Sequence, residues 1–246
     1  TTVTFNARAI RTARLDGVEP FYRDGLGLTA GRPEAGVLDL AFAPGATPAI
    51  TFIEDPAAQP SPPRTAGLFH IALLAPDRSR LAQALRRLDA RGQEFQGFAD
   101  HGVSEAIYLA DPDGNGLELY ADRPRSAWPI ANGRLAMFSH ELDLKSLLAN
   151  RPDEPDAPPL AAGRIGHVHL QVTSLAASKE FYAKTIGLEI TQDGGPDACF
   201  LAADGYHHHL GLNTWAQPVR RAPEHATGLI GFTFTADDIA TPQTLT

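Results

Sequence analysis

The sequence predicts an α+β protein built from tandem βαβββ modules, and three observations carry that prediction. "FYRDGLGL" at 21–28 recurs as "FYAKTIGL" at 181–188, an offset of 160 residues (181 − 21). Each copy follows a short alternating strand pattern, "TFNARAIRTA" and "IGHVHLQVTSL", and each precedes further strand-like stretches. A strand, an amphipathic helix ending in Gly and then more strands read as one βαβββ unit. The unit spacing also agrees in both halves: Ala7 to His70 is 63 residues, and His167 to Gly231 is 64.

Module 1 occupies 1–57 and contains the first copy of the repeat. Module 2, at 64–124, opens with the strand–turn–helix stretch "GLFHIALLAPDRSRLAQALRRLDARG", where Leu81, Ala84, Leu85 and Leu88 recur at helical spacing. It closes with "SEAIYLADPDGNGLELYADRP", two strands around Asp113-Gly114 and Asn115-Gly116, which are strong hairpin signals. Residues 125–163 connect the halves. They include "FSHELDLKSLLAN", read as a short helix with His140 solvated or capping, and the acidic, Pro-rich linker "RPDEPDAPPLAAG" at 151–163. Module 3 spans 164–217. A partial module 4 at 226–246 supplies an opening strand and first turn, and the layout leads us to expect some tens of further residues in homologues.

Composition narrows the function. The chain is 43% hydrophobic and 20% charged, ordinary for a globular protein. A net charge of −8 with no basic block argues against nucleic acid as a partner. The single Cys199 excludes a disulfide framework and suggests a reducing compartment. No apolar run approaches the ~20 residues of a membrane span. The opening "TTVTFNARAI" lacks the regions of a signal peptide, so the expected location is cytoplasmic.

Two histidines fall at the equivalent place in two repeats. His70 and His167 lie on the first strands of modules 2 and 3, each seven residues before the residue where the helix begins, Asp77 and Ser174. Taken alone, a strand histidine is more often a satisfied core residue than a ligand. Repetition weakens that reading. Glu118, in "GLELY" on the last strand of module 2, adds an acid between Leu117 and Leu119. It must face water, a cation or a metal, because burying an unpaired carboxylate is costly. Two neutral imidazoles and one carboxylate on a rigid sheet form a set that holds Fe(II) on one face and leaves positions open for substrate and oxygen. His169 shares a strand face with His167 and is an alternative to it. In "DGYHHHLGLNTW" at 204–215, strand alternation puts His207 and His209 on one face and His208 on the other, without saying which face meets the metal.

With these residues in place, the sequence resembles the vicinal oxygen chelate superfamily of glyoxalases, bleomycin resistance proteins and extradiol dioxygenases. Within it, the chain is similar to the catechol 2,3-dioxygenase-like type I ring-cleaving enzymes. The resemblance covers nearly the whole chain and is most specific in "GHVHLQV", "GYHHHLGLNTW" and "SEAIYLADPDGNGLELYADRPRSAW". It implies modules paired into cup-shaped half-barrel sheets, with His70, His167 and Glu118 as metal ligands. It further implies His208 as acid–base catalyst, and Tyr108, four residues before Pro112, with His101 as groups that contact substrate or oxygen-derived atoms. The implied cofactor is Fe(II), with Mn(II) acceptable to the same ligands. The implied reaction inserts O2 beside the vicinal hydroxyls of a catechol-type substrate to give a muconic semialdehyde-type product.

One departure shapes the expected pairing. Better-known members place the site between modules 3 and 4, yet module 4 offers Ile230, Gly231 and Phe232 where a histidine is needed, and module 1 offers Ala7. Modules 2 and 3 together supply the full set, so they are expected to pair around the metal while 1 pairs with 4. A homo-oligomer in which a partner chain supplies the missing half is the alternative. "RPRSAW" at 123–128 and Trp215 are read as pocket-mouth candidates or as packing. Two rival functions remain: a glyoxalase-like isomerase, which usually wants a second carboxylate, and a metal-free small-molecule-binding protein of the drug-sequestering kind.

Overall fold

The computed structural model describes residues 3–236. The end of the partial fourth module, 237–246, lies outside the described residues. Module 1 contributes strand β1 (Val3–Thr12), helix α1 (Leu15–Pro20), β2 (Thr29–Gly31), β3 (Val37–Ala41) and β4 (Ile50–Glu54). Module 2 contributes β5 (Thr65–Leu74), α2 (Arg78–Asp89), β6 (Phe95–Asp100), β7 (Ser104–Ala110) and β8 (Gly116–Asp122). After the short helix α3 (Leu144–Ala149), module 3 contributes β9 (Arg164–Gln171), α4 (Leu175–Glu180), β10 (Glu189–Asp193), β11 (Ala198–Ala202) and β12 (Leu210–Asn213), and β13 (Gly228–Ala236) follows.

The repeated motif has a physical cause. In both copies the helix passes into a π-helical turn, Phe21–Gly25 and Phe181–Thr185. The amides of Leu26 and Ile186 donate to the carbonyls of Phe21 and Phe181, five residues back. The chain then reverses at Gly27 and Gly187, whose φ values of 78° and 89° favour glycine. Caps set the helix starts: the Asp77 side chain accepts from the Arg80 amide, and Ser174 accepts from the Ala177 amide.

Each module repeats one topology. The first strand lies parallel to the last, and the last pairs antiparallel with the one before it: β1–β4–β3–β2, β5–β8–β7–β6 and β9–β12–β11–β10. Modules 2 and 3 join through antiparallel pairing of β5 with β9, and β1 joins β13 in the same way. The larger sheet curls strongly into a half-barrel. The connection between modules is not a free tether. His140–Glu141 adds to the edge of β6, α3 buries Leu147, and α2 binds the acidic stretch through Arg80 and Gln83 side chains that donate to carbonyls of 154–157.

One face of the larger sheet packs Ile71, Leu73, Ile107, Leu117, Leu119 and Val168 into a core shared with Ile10, Tyr22, Phe52 and Leu85. A buried hydrogen bond ties modules 1 and 2: the Tyr22 hydroxyl donates to Asp111 at 2.9 Å, and Asp111 also orders the Asp-Pro-Asp-Gly-Asn turn. The opposite face carries His70, Ala72, Glu118, Tyr120 and His167. Among the described residues no helix is long and apolar enough to cross a membrane.

The register of β9 against β5 shifts between Ile165, opposite Leu73, and His167, opposite Ala72. Gly166 sits in that bulge, and a Cβ there would lie 1.7 Å from the Tyr120 hydroxyl. Gly166→Ala is therefore expected to lower stability by about 1–3 kcal/mol, read from the urea midpoint. Gly31→Ala, whose added methyl meets nothing within 4 Å, is expected to stay within about 0.5 kcal/mol of the parent.

Candidate metal centre

Strands β8, β5 and β9 lie side by side, and their registers gather the ligand set. Ala72 pairs with Glu118 on one side and His167 on the other, while His70 pairs with His169. Glu118 and His167 start two strands apart and lean toward each other over Ala72, whose small side chain leaves that space open. The His70 Nε2 lies 3.0 Å from a Glu118 carboxylate oxygen and 3.3 Å from the His167 Nε2, and the His167 Nε2 lies 3.1 Å from the same oxygen. Among the described residues these are the only three His, Cys, Asp or Glu groups drawn so close.

The three donors fit a metal ion. Adjacent ligands of an octahedral ion at about 2.1 Å bond length stand about 3.0 Å apart, close to the separations found. Protonation also suits. Burial raises the Glu118 pKa, but His167 and His70 beside it outweigh that and hold the carboxyl well below its usual range. Burial pushes His167 down to about 4; Glu118 opposes the shift, and His70 and His207 add to it. At neutral pH Glu118 is therefore a carboxylate and His167 a neutral imidazole, the forms that ligate. The His167 Nδ1 is buried with no hydrogen-bond partner among the described residues, so this ring is placed for its Nε2 alone.

His169 is placed differently. Its Nε2 receives a hydrogen bond from the Asn213 side-chain amide at 3.0 Å, and it is not one of the three converging donors. Between the two candidates on β9, the structure brings His167 to Glu118 and His70.

The triple-histidine run precedes β12 and does not belong to it, so strand alternation does not govern residues 207–209. The rings nevertheless separate. His208 lines the pocket and packs 4.1 Å from the His167 ring centroid. His207 is fully buried behind it, and the His209 Nδ1 accepts from the Ala203 amide. Burial, then His167 and His207, pushes the His208 pKa well down.

Tyr108 stands directly opposite Glu118 on β7. Its hydroxyl donates to the His101 Nε2 at 2.7 Å, while the His101 Nδ1 donates to the Phe138 carbonyl at 2.9 Å. His101 lies in the turn after β6 and not on the strand itself. Burial, then the Glu118 charge, raises the Tyr108 pKa well above 10, so the phenol keeps its proton. These groups surround a cavity of about 610 Å³ that is walled by Phe69, Leu117, Met137, Phe138, Phe200 and Trp215 and has no Lys or Arg in its lining.

Of the two readings of Trp215, the structure shows the pocket one: the ring lines the cavity. The segment 123–128 does not: Arg123 pairs with Asp100 and Glu105, and the Trp128 ring packs 5.3 Å from the buried His207. Tyr120, Asp122, Tyr206 and Asn213 were not singled out from the sequence. For Tyr120 and Asp122 a signal existed, because Glu118, Tyr120 and Asp122 alternate with Leu117, Leu119 and Ala121 in "LELYAD".

A curled sheet of βαβββ modules with a His–Glu–His trio on its open face defines a class. The chain belongs to the glyoxalase/bleomycin resistance protein/dioxygenase superfamily, whose family model matches residues 4–119 and 164–241. It is 44% identical over 184 residues to the catechol-2,3-dioxygenase of Bacillus subtilis (strain 168), covering 74% of this chain. The chain spans 64% of that relative's length. A crystal structure of a protein from Bacillus subtilis subsp. subtilis str. 168, described as a dioxygenase, superposes with a TM-score of 0.66 over 95% of this chain and 70% of its own, at 16% identity, a likeness of fold.

Under anaerobic conditions, Fe(II) or Mn(II) at 100 times its Kd is expected to stabilise the protein by about 2.7 kcal/mol, measured as a rise in melting temperature. Glu118→Gln should lose that rise at the same metal concentration. An equal rise in the variant would mean that the trio does not hold the ion.

Proposed function

We propose that the protein is an extradiol dioxygenase that cleaves a catechol-type ring beside its two hydroxyls, with His70, Glu118 and His167 holding Fe(II). The observation that carries this reading is the trio of donors 3.0–3.3 Å apart, two of which, His70 and Glu118, line a largely apolar cavity. The 44% identity to a catechol-2,3-dioxygenase supports it. Overall, catechol and O2 combine so that both oxygen atoms enter the product, a ring-opened muconic semialdehyde, with no proton or electron left over.

A ferrous ion at this trio would supply a template for the two vicinal oxygens and for O2, and a path for electrons between them. The remaining work falls to side chains. His208, neutral and lining the pocket, accepts a proton from a substrate hydroxyl and returns it later. Tyr108 turns its hydroxyl proton from His101 toward the developing charge on a substrate oxygen, and His101, anchored on the Phe138 carbonyl, keeps the phenol in place. The aromatic walls hold the ring and exclude water.

Oxygen-electrode measurements on anaerobically Fe(II)-loaded protein should show one O2 consumed per catechol, with a yellow product. His70→Ala should abolish uptake. His208→Gln should lower kcat by about 10²–10⁴-fold while keeping the metal-induced thermal shift. An isomerase of the same superfamily would leave dissolved oxygen unchanged, so the electrode separates the two readings.

The lining also predicts selectivity. With no Lys or Arg in the lining, a carboxylate on the substrate would meet no cationic side chain there. Side-by-side kinetics with 3-methylcatechol and 3,4-dihydroxyphenylacetate should favour the neutral compound by about tenfold or more in kcat/KM, about 1.4 kcal/mol.

A further inference from the structure

We propose that Asp122 is a positioning residue that acts through His207 to hold His208 in the tautomer whose Nε2 is bare on the pocket side. This rests on the reading of His208 as the acid–base group. The geometry is a directed chain of hydrogen bonds. Asp122 Oδ1 lies 2.9 Å from the His207 Nε2, and the His207 Nδ1 lies 2.8 Å from the His208 Nδ1. A carboxylate can only accept, so the His207 Nε2 carries the hydrogen. In the proposed chain His207 is a neutral imidazole with a single N–H, so its Nδ1 accepts and the His208 Nδ1 donates to it. The His208 Nε2 is then left with its lone pair, the form that can take a proton from a bound hydroxyl.

A second branch ends on the same carboxylate. The Tyr206 hydroxyl donates to Asp122 Oδ2 at 2.9 Å and lies 2.9 Å from the Tyr120 hydroxyl, which must therefore donate to Tyr206. Every hydrogen in both branches points toward Asp122. The surroundings hold the relay without competing for it: the Trp128 ring packs on His207, and its Nε1 donates elsewhere, to the Arg123 carbonyl. His207 is fully buried, so water does not substitute for its partner. Asp122 lies on the same strand face as Glu118, four residues on, which fixes the carboxylate relative to the proposed metal ligand.

Long-range ¹H–¹⁵N correlation spectra of the full chain, ¹⁵N-labelled on histidine and freed of metal by chelation, report which ring nitrogen of each imidazole bears hydrogen. The expected wild-type pattern is hydrogen on His208 Nδ1 and a bare His208 Nε2. Asp122→Leu, of similar size but with no acceptor, should lose the single tautomer at His207 and His208. Tyr206→Phe, which leaves the carboxylate in place, should keep the wild-type pattern. When loaded with Fe(II), Asp122→Leu should lose about 10–100-fold in kcat while retaining the metal-induced thermal shift. Hydrogen on the His208 Nε2 in the wild-type protein overturns the proposal even if the variant does not fold, and so do unchanged tautomers in Asp122→Leu. Loss of the single tautomer with unchanged kcat would keep the positioning role and remove His208 from the acid–base role.

Discussion

The antiparallel pairing of β5 with β9 is the constraint on which the site depends. Ile165 faces Leu73 in the core, and an unbroken ladder would place His167 opposite Ile71, also on the core side. The irregularity at Gly166 advances the chain by one residue and turns His167 onto the face that carries His70 and Glu118. Bulges commonly re-aim a side chain in this way. The same glycine lets the Tyr120 hydroxyl pass close to β9 and reach Tyr206. One irregular residue thus aims the proposed metal-binding imidazole and opens the route for the network behind His208.

That arrangement works against folding, and the rest of the molecule offsets it. Three ligand atoms with converging lone pairs are enclosed together, and the His167 Nδ1 has no partner among the described residues. An unsatisfied buried polar group costs about 1–3 kcal/mol. Opposing this, the face behind the site is continuous apolar packing from module 1 through α2 to β8 and β9. Module 1 brings no ligand of its own, yet it backs the sheet with Ile10, Tyr22 and Phe52 and fixes the Asp111 turn that leads into β8. The division of labour is clear: modules 2 and 3 hold the polar groups, and module 1 supplies the hydrophobic burial that keeps their strands in register.

Much of this was legible in the sequence because it rests on local patterns. The repeat "FY…GL" marks a helix-to-π turn closed by a left-handed glycine, which only a short list of residues can build. His70 and His167 stood out because equivalent strand positions in two repeats carried the same residue. Glu118 stood out because an acid interrupted an apolar strand. The order of His207, His208 and His209 was harder to read, because the run precedes its strand and obeys no period of two. The walls contributed by Met137 and Phe138 come from the connecting segment, which reaches the pocket through a long-range contact with Gln192 that no local pattern encodes. The roles of Tyr120 and Asp122 were visible as an alternation in "LELYAD" but gained meaning only once Tyr206 and His207 were placed beside them.

The charge inventory of the pocket decides what it can hold. One carboxylate and two neutral imidazoles leave a divalent ion with about one unit of uncompensated positive charge (2 − 1). No Lys or Arg lines the cavity, so that charge would be concentrated at a single point. Around it stand Phe69, Phe138, Phe200 and Trp215, which offer aromatic surface to a ring. A ligand that matches has two adjacent oxygens at one end and an apolar body at the other. His208 and Tyr108, the proposed proton carriers, stand beside the trio, through the His167 ring and the Glu118 cross-strand pair. Charge, apolar surface and the proposed proton carriers therefore favour the same orientation for the proposed substrate, with its oxygens toward β8, β5 and β9 and its body against the aromatic wall.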